Sequence, residues 1–276
     1  MRSSLLIAAI STGFLLAVPH AQALAQAAAQ ARRGDQPVPR TDRNSQLAHE
    51  QLVEKARKGG IDVYFVGDSI TRRWGTSDQQ YRDFLANWTQ NFFGWNAGNF
   101  GWGADTIQNI LWRLENGELD GVNPKVIVLL AGTNNVGAAP APGGDQARVE
   151  EVVSGIRAAV DVMRRKAPEA TILITGITPR NDKSGAAPVV PIINRINERI
   201  AAFADGRRVR YLDINDKLAD ANGKLFDGMT VDGLHLSVKG YQVWADALKP
   251  ILTELLGTPA VTDHAPPPTG DPSVTK

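Results

Sequence analysis

The chain has 276 residues, with 30 Lys+Arg against 29 Asp+Glu, four histidines and no cysteine. A near-zero net charge without a basic stripe argues against nucleic acid and anionic membrane surfaces as partners. The lack of cysteine removes thiol nucleophiles, disulfides and thiolate zinc sites. With His20, His49, His235 and His264 scattered along the chain, the sequence points to oxygen-based chemistry with no metal and no cofactor.

The N-terminus carries Arg2, an apolar run over residues 5–18, and three small-x-small sites, Ala21-Gln22-Ala23, Ala23-Leu24-Ala25 and Ala25-Gln26-Ala27. This is the pattern of a cleaved secretory signal over residues 1–27. The run is shorter than the roughly 20 residues of a spanning helix, and no later run is long and apolar enough. Stable membrane insertion is therefore not expected, and the mature protein is expected in the periplasm or the medium. Residues 28–45 are polar and expected to be a mobile lead-in. Residues 46–256 suit one α/β domain. Residues 257–276, with Pro259, Pro266, Pro267, Pro268 and Pro272, are expected to form a disordered tail.

Within the domain, short apolar runs at 63–66, 126–130, 172–177 and 209–214 fit strands covered on both faces, with 95–100 a weaker candidate. Between them lie apolar stripes at helical spacing. Ile107, Ile110, Leu111 and Leu114 form the first, and Val149, Val152, Val153, Ile156, Val160 and Met163 the second. Ile192, Ile193, Ile196, Ile200 and Phe203 form the third, and Tyr241, Ala245, Leu248, Leu252 and Leu255 the last, which Pro250 is expected to break or kink. The alternation predicts a three-layer α/β/α sandwich with right-handed crossovers. Strand order is not readable from it.

Four blocks follow predicted strands or close the domain: Gly67-Asp68-Ser69, the stretch from Asn99 through Gly101-Trp102-Gly103-Ala104-Asp105-Thr106, Gly132-Thr133-Asn134-Asn135, and Asp232-Gly233-Leu234-His235. In a parallel sheet such loops gather at the carboxyl edge of the strands. Ester hydrolysis needs a nucleophile, a base and donors for a developing oxyanion. Ser69 fits the nucleophile, His235 the base, and Asp232 the group that holds the imidazole in one tautomer. The Ser69 amide, an amide of the glycine-rich loop and the Asn134 side chain fit the oxyanion donors. Taken singly, Ser69 could be a helix N-cap, Asn134 or Asn135 a turn residue, and Asp232 with His235 a surface loop. Asp68 reads as a loop cap.

That ordered set resembles the SGNH (GDSL-type) hydrolases, from about residue 63 to about residue 237. Within them the resemblance is to the catalytic subunits of the platelet-activating-factor acetylhydrolases, carried by Phe100-Gly101, by Leu111-Trp112-Arg113-Leu114-Glu115-Asn116-Gly117-Glu118-Leu119 and by Pro124-Lys125-Val126. The resemblance implies a flavodoxin-like sheet of about five parallel strands, and it is compatible with a homodimer. It places the family's second-block glycine on Ala104, which can serve as a donor if the loop needs no positive φ there; Gly103 is the alternative. Trp74, Trp102 and Arg180 lie on predicted site loops and are candidate substrate contacts, with core packing and a solvated loop as their ordinary readings.

The expected activity is an exported serine esterase that removes short acyl groups, above all acetyl, from an alcohol. Export and the loop tryptophans favour O-acetylated carbohydrate. The subgroup resemblance favours an acetylated phospholipid or related lipid ester. Two other classes fit the sequence less well. Gly101-x-Gly103-x-x-Thr106 faintly suggests a dinucleotide fingerprint but lacks its third glycine, and a non-catalytic carbohydrate- or partner-binding module would leave Ser69, Asn134, Asp232 and His235 together without a purpose.

Overall fold

A computed structural model describes residues 33–137, 143–182 and 189–274, so the expected signal segment and the start of the lead-in lie outside the described residues. Five strands form one sheet: β1 Val63–Gly67, β2 Ala97–Asn99, β3 Val126–Leu130, β4 Thr171–Thr175 and β5 Val209–Leu212. All pair in parallel, in the order β2-β1-β3-β4-β5. This is the flavodoxin-like order, and its switch point lies between β1 and β3.

The alternation of side chains across the sheet builds two cores. Tyr64, Val66, Ile127, Leu129, Ile172 and Ile174 point to one face, where they meet the helices α1 Arg43–Lys58, α4 Ile107–Arg113, α6 Gly144–Lys166 and α7 Val190–Ala201. Val63, Phe65, Val126, Val128 and Leu173 point to the other, against α2 Ser69–Trp74, α3 Arg82–Phe92 and α9 Val238–Leu256. Two short helices, α5 Thr133–Val136 and α8 Asn215–Leu218, follow β3 and β5. Each fully buried Leu, Ile or Phe contributes about 1.5–3 kcal/mol by leaving water, and strands covered on both faces explain why the runs read as continuously apolar.

Three expectations are corrected. First, Pro250 does not break α9, which continues to Leu256, because Leu248 and Leu252 on either side are fully buried and hold the helix against the sheet. Second, the part of the lead-in that is described is bonded to the body. Asp42 caps α1 through the Ser45 amide, Val38 and Asn109 are linked by the Asn109 side chain, and the Val38 amide donates to Gln108.

Third, residues 257–274 are docked rather than disordered. The Gly257 carbonyl accepts from the Trp95 indole at 3.1 Å, and the Ala260 amide donates to Gly94 at 2.9 Å. The Asp263 carboxylate accepts from the Gly94 and Asn96 amides at 2.7 and 3.2 Å. Further on, the Thr269 carbonyl accepts from Thr76, and Asp271 accepts from the Asn44 amide group. The segment is thus tied to the turn that leads into β2, to the loop after α2 and to α1. Proline-rich composition limits helix and strand, but it does not prevent a chain from docking through its carbonyls and side chains.

Candidate active site

Ser69 is the first residue of α2, directly after β1. Asp68 is the helix N-cap, its carboxylate accepting the Ile70 amide at 2.9 Å. Burial pushes the Asp68 carboxyl up to about 7, against the pull of that amide, so Asp68 is a cap, as its sequence context suggests. As first residue of the helix, Ser69 has no intrahelical acceptor for its own amide.

The structure brings Ser69, His235 and Asp232 into one hydrogen-bonded chain. Ser69 Oγ lies 2.9 Å from His235 Nε2, and His235 Nδ1 lies 2.7 Å from Asp232 Oδ2. The other Asp232 oxygen accepts from the amides of His235 and Leu234 at 2.8 and 3.1 Å, which fixes the carboxylate and the ring together. Burial raises the Asp232 carboxyl, but the His235 amide and ring and the Leu234 amide more than offset this, so it titrates below the ordinary range. Burial of the imidazole outweighs its bond to Asp232, and Arg73 adds repulsion, so His235 titrates below 6.5. It is therefore neutral near pH 7 and able to take a proton.

The glycine-rich loop is pinned against α2. A Cβ on Gly101 would come within 2.5 Å of the Arg72 amide nitrogen, so only glycine permits this approach. The Phe100 and Trp102 amides donate to Phe65 and Gly67, extending the β1 pairing past the strand. Asn99 joins the two loops, donating to Thr71 at 2.6 Å and accepting from the Gly101 amide at 2.9 Å.

Ala104 has φ +62°, whereas Gly103 is outside the left-handed region and has open space around it. The Asp105 amide reaches the Trp102 carbonyl at 3.4 Å, closing a turn that needs positive φ at its third residue. The expectation that an alanine can stand here only without positive φ is therefore corrected: Ala104 carries the left-handed conformation and its strain, about 1–2 kcal/mol for a residue with a Cβ.

Asn134, on α5, donates to the Asp105 carbonyl at 2.9 Å, so one amide proton orients the side chain beside Ala104 and the second stays available. Asn135 is buried, accepting from the Ile107 amide and donating to Gln108 and Glu151, which is a structural role.

The three candidate substrate contacts are all packed into the body of the domain. Trp74 is fully buried, stacked on Tyr241 and Trp244, with its indole donating to Asn87. Trp102 is 7% exposed, donates to Ser45 in α1 and lies under the Arg72 guanidinium. Arg180 is 5% exposed; it clasps Asp182 and donates to the Thr133 carbonyl at 2.7 Å. It holds the turn that presents Asn134.

Several residues that matter were not singled out in the sequence. Arg73, one turn after Ser69, lies 3.6 Å from Asp232 and ties the nucleophile helix to the histidine loop. Behind the glycine-rich loop, Asp105 and Glu118 are buried with Arg113 between them, at 2.5 and 3.1 Å, and Arg40 donates to both Gly103 and Asp105. Burial pushes Asp105 up to about 6, with Arg113 opposing. The i to i+4 spacing of Ser69 and Arg73 was the available signal for the first. Asp105, Arg113 and Glu118 stand in stretches that carry the family resemblance, but that they pair with one another and with the distant Arg40 is not written in their spacing.

The profile of the GDSL-like Lipase/Acylhydrolase family matches residues 65–243, and the chain belongs to that family. It is 32% identical over 225 residues to platelet-activating factor acetylhydrolase IB subunit alpha1 of Bos taurus, covering 81% of this chain and 89% of the relative. To the subunit of the same name in Homo sapiens it is 32% identical over 209 residues, covering 75% and 82%. Among solved structures it is similar to a GDSL-like lipase from Bacteroides thetaiotaomicron, with TM-score 0.59, 18% identity and coverage of 75% and 98%. It is also similar to Axe2, an acetylxylan esterase from Geobacillus stearothermophilus, with TM-score 0.53, 15% identity and coverage of 72% and 95%. These two structures show the shared fold. Family and relatives together make the chain a carboxylic ester hydrolase.

Two outcomes follow from the site's geometry. Ala104→Gly should stabilise the protein by up to about 1 kcal/mol, the released strain less the entropy of an added glycine, while Ala104→Val should lose about 1 kcal/mol or more. Urea unfolding checks both, and a stabilising valine would contradict the strain. By NMR, the His235 ring should titrate below 6.5, and lower still in Asp232→Asn, because the Asp232 bond is what holds its proton. An upward shift in that variant would contradict the assignment.

Proposed function

We propose that this chain is an exported serine esterase that removes short acyl groups, above all acetyl, from an alcohol, and that O-acetylated carbohydrate is its substrate class. The observation that carries the mechanism is the unbroken chain from Ser69 Oγ through the His235 ring to Asp232. Ser69 attacks the acyl carbonyl carbon as His235 Nε2 takes its proton. The charge that develops on the carbonyl oxygen is met by the Ser69 and Ala104 amides and by the free Asn134 amide proton. Each such donor is worth about 2.7–4 kcal/mol of barrier. His235 then gives the proton to the departing alcohol, and water, activated by the same ring, releases the acid.

Support for a small acyl group comes from the acetylhydrolase relatives. Support for export comes from the N-terminal pattern of residues 1–27. Since Trp74 and Trp102 are core residues, the case for carbohydrate rests on export. The second reading, an acetylated phospholipid, is favoured by the name of those same relatives.

Hydrolysis of p-nitrophenyl esters across acyl lengths, with Ser69→Ala beside the wild type, tests the proposal. The rate should depend on Ser69 and fall steeply beyond the shortest chains. Equal turnover by Ser69→Ala would remove the nucleophile, and a rate rising toward long chains would remove the short-acyl assignment.

A further inference from the structure

A cavity of about 400 Å³ opens on the carboxyl edge of the sheet, beside the loops that follow β4 and β5. This lies within the range of about 300–1,000 Å³ that encloses small ligands. Its wall toward the triad is Pro179. The next residue, Arg180, holds Thr133, and the Asn181 amide donates to the Gly233 carbonyl at 2.9 Å, between Asp232 and His235. One segment of chain thus has the cavity on one side and the catalytic loops on the other.

The lining is polar and uncharged or acidic, with one aromatic ring at the lip. Asn194, Asn215, Asp216 and Asp220 face it together with Phe226; among the described residues no lysine or arginine lines it, although Lys217 pairs with Asp216 at 2.5 Å. Phe226 is 43% exposed, and its backbone is held: its amide donates to Leu218 at 2.9 Å, and Ala219 and Leu225 pair as an antiparallel bridge just before it. The Asp220 carboxylate accepts from the Asn222 and Lys224 amides at 2.9 Å, which shapes the same loop. An aromatic ring left exposed beside a polar cavity gives up burial that a core position would have provided, and this suits a ligand with one apolar face.

We infer that this cavity, formed by Asn194, Asn215, Asp216, Asp220 and Phe226 beside the triad, binds a neutral sugar unit of an oligosaccharide. Sugar hydroxyls donate to the carboxylates and both donate to and accept from the amides. The C–H face of a pyranose stacks on an aromatic ring. A phosphate group would meet the Asp216 and Asp220 carboxylates, and the Lys217 cation beside them is already engaged by Asp216. A quaternary ammonium could sit against Phe226 and the acidic residues, but it forms no hydrogen bond with Asn194 and would leave that amide unmatched. The inference rests on the carbohydrate reading of the esterase site and extends it to a unit neighbouring the acylated one.

Isothermal titration of the full chain with xylotetraose and chitotetraose tests the site without relying on ester turnover. At least one should bind saturably, about five- to ten-fold more weakly in Phe226→Ala and in Asn194→Ala, both at exposed positions. Hydrolysis of p-nitrophenyl acetate should stay within about two-fold of wild type in both variants. Saturable binding of neither oligosaccharide, or equal binding by wild type and variants, would overturn the inference. Binding of phosphocholine alone, dependent on Phe226, would overturn it in favour of a lipid headgroup. Should no Ser69-dependent hydrolysis exist, the esterase mechanism fails, and the titration still decides the sugar site.

Discussion

The 2.9 Å contact between Ser69 and His235 joins residues 166 positions apart, and it holds only if both loops stay at one edge of the sheet. The strand order achieves this by placing β1 beside β3, where successive connections leave in opposite directions and open a crevice. Ser69 and Asn134 emerge from those two strands. Two further ties complete the frame: Gly101 packed on the α2 backbone, and Arg73 reaching from α2 to Asp232. A deviation of about 1 Å in such a constellation can cost about a hundred-fold in rate, so these ties matter as much as the reacting groups.

Charge is arranged on the same frame. The neutral state of His235 results from burial and from Arg73 outweighing Asp232. The glycine-rich loop is anchored from behind by Asp105, Arg113 and Glu118, a buried set in which removing one partner would strand a charge out of water. Through the Asp105 carbonyl this network also orients Asn134. The strained φ of Ala104 lies on the same loop, consistent with local strain being tolerated where the surroundings determine the backbone.

Much of this was legible in the sequence. Strands buried on both faces give continuous apolar runs, which located β1, β3 and β4; the edge strands β2 and β5 are partly exposed and fell inside the weaker stretch at 95–100 and the mixed run at 209–214. The triad was readable because a serine after a strand and an Asp three residues before a well-placed His are local patterns. Trp74 was readable in principle: it lies four residues after Ile70, so a helix starting at Ser69 puts both on the core face. Treating the segment as a loop sent Trp74 to the substrate instead. Trp102, Arg180 and the tail were not readable, because their partners Ser45, Thr133, Asp182, Gly94 and Asn96 are mostly distant in sequence and composition records polarity without partners. The φ of Ala104 was hidden for a related reason, since turn chemistry assigns positive φ to glycine and here the glycine is one residue earlier.

The central claim is that Ser69 forms a covalent acyl intermediate with His235 as base. Rapid quenching of the enzyme during turnover of p-nitrophenyl acetate, followed by mass spectrometry of its peptides, tests this directly. The account predicts one added acetyl group on the peptide containing Ser69, lost in Ser69→Ala. Release of p-nitrophenol with the Ser69 peptide unmodified, or with the acetyl group on another residue, would contradict it.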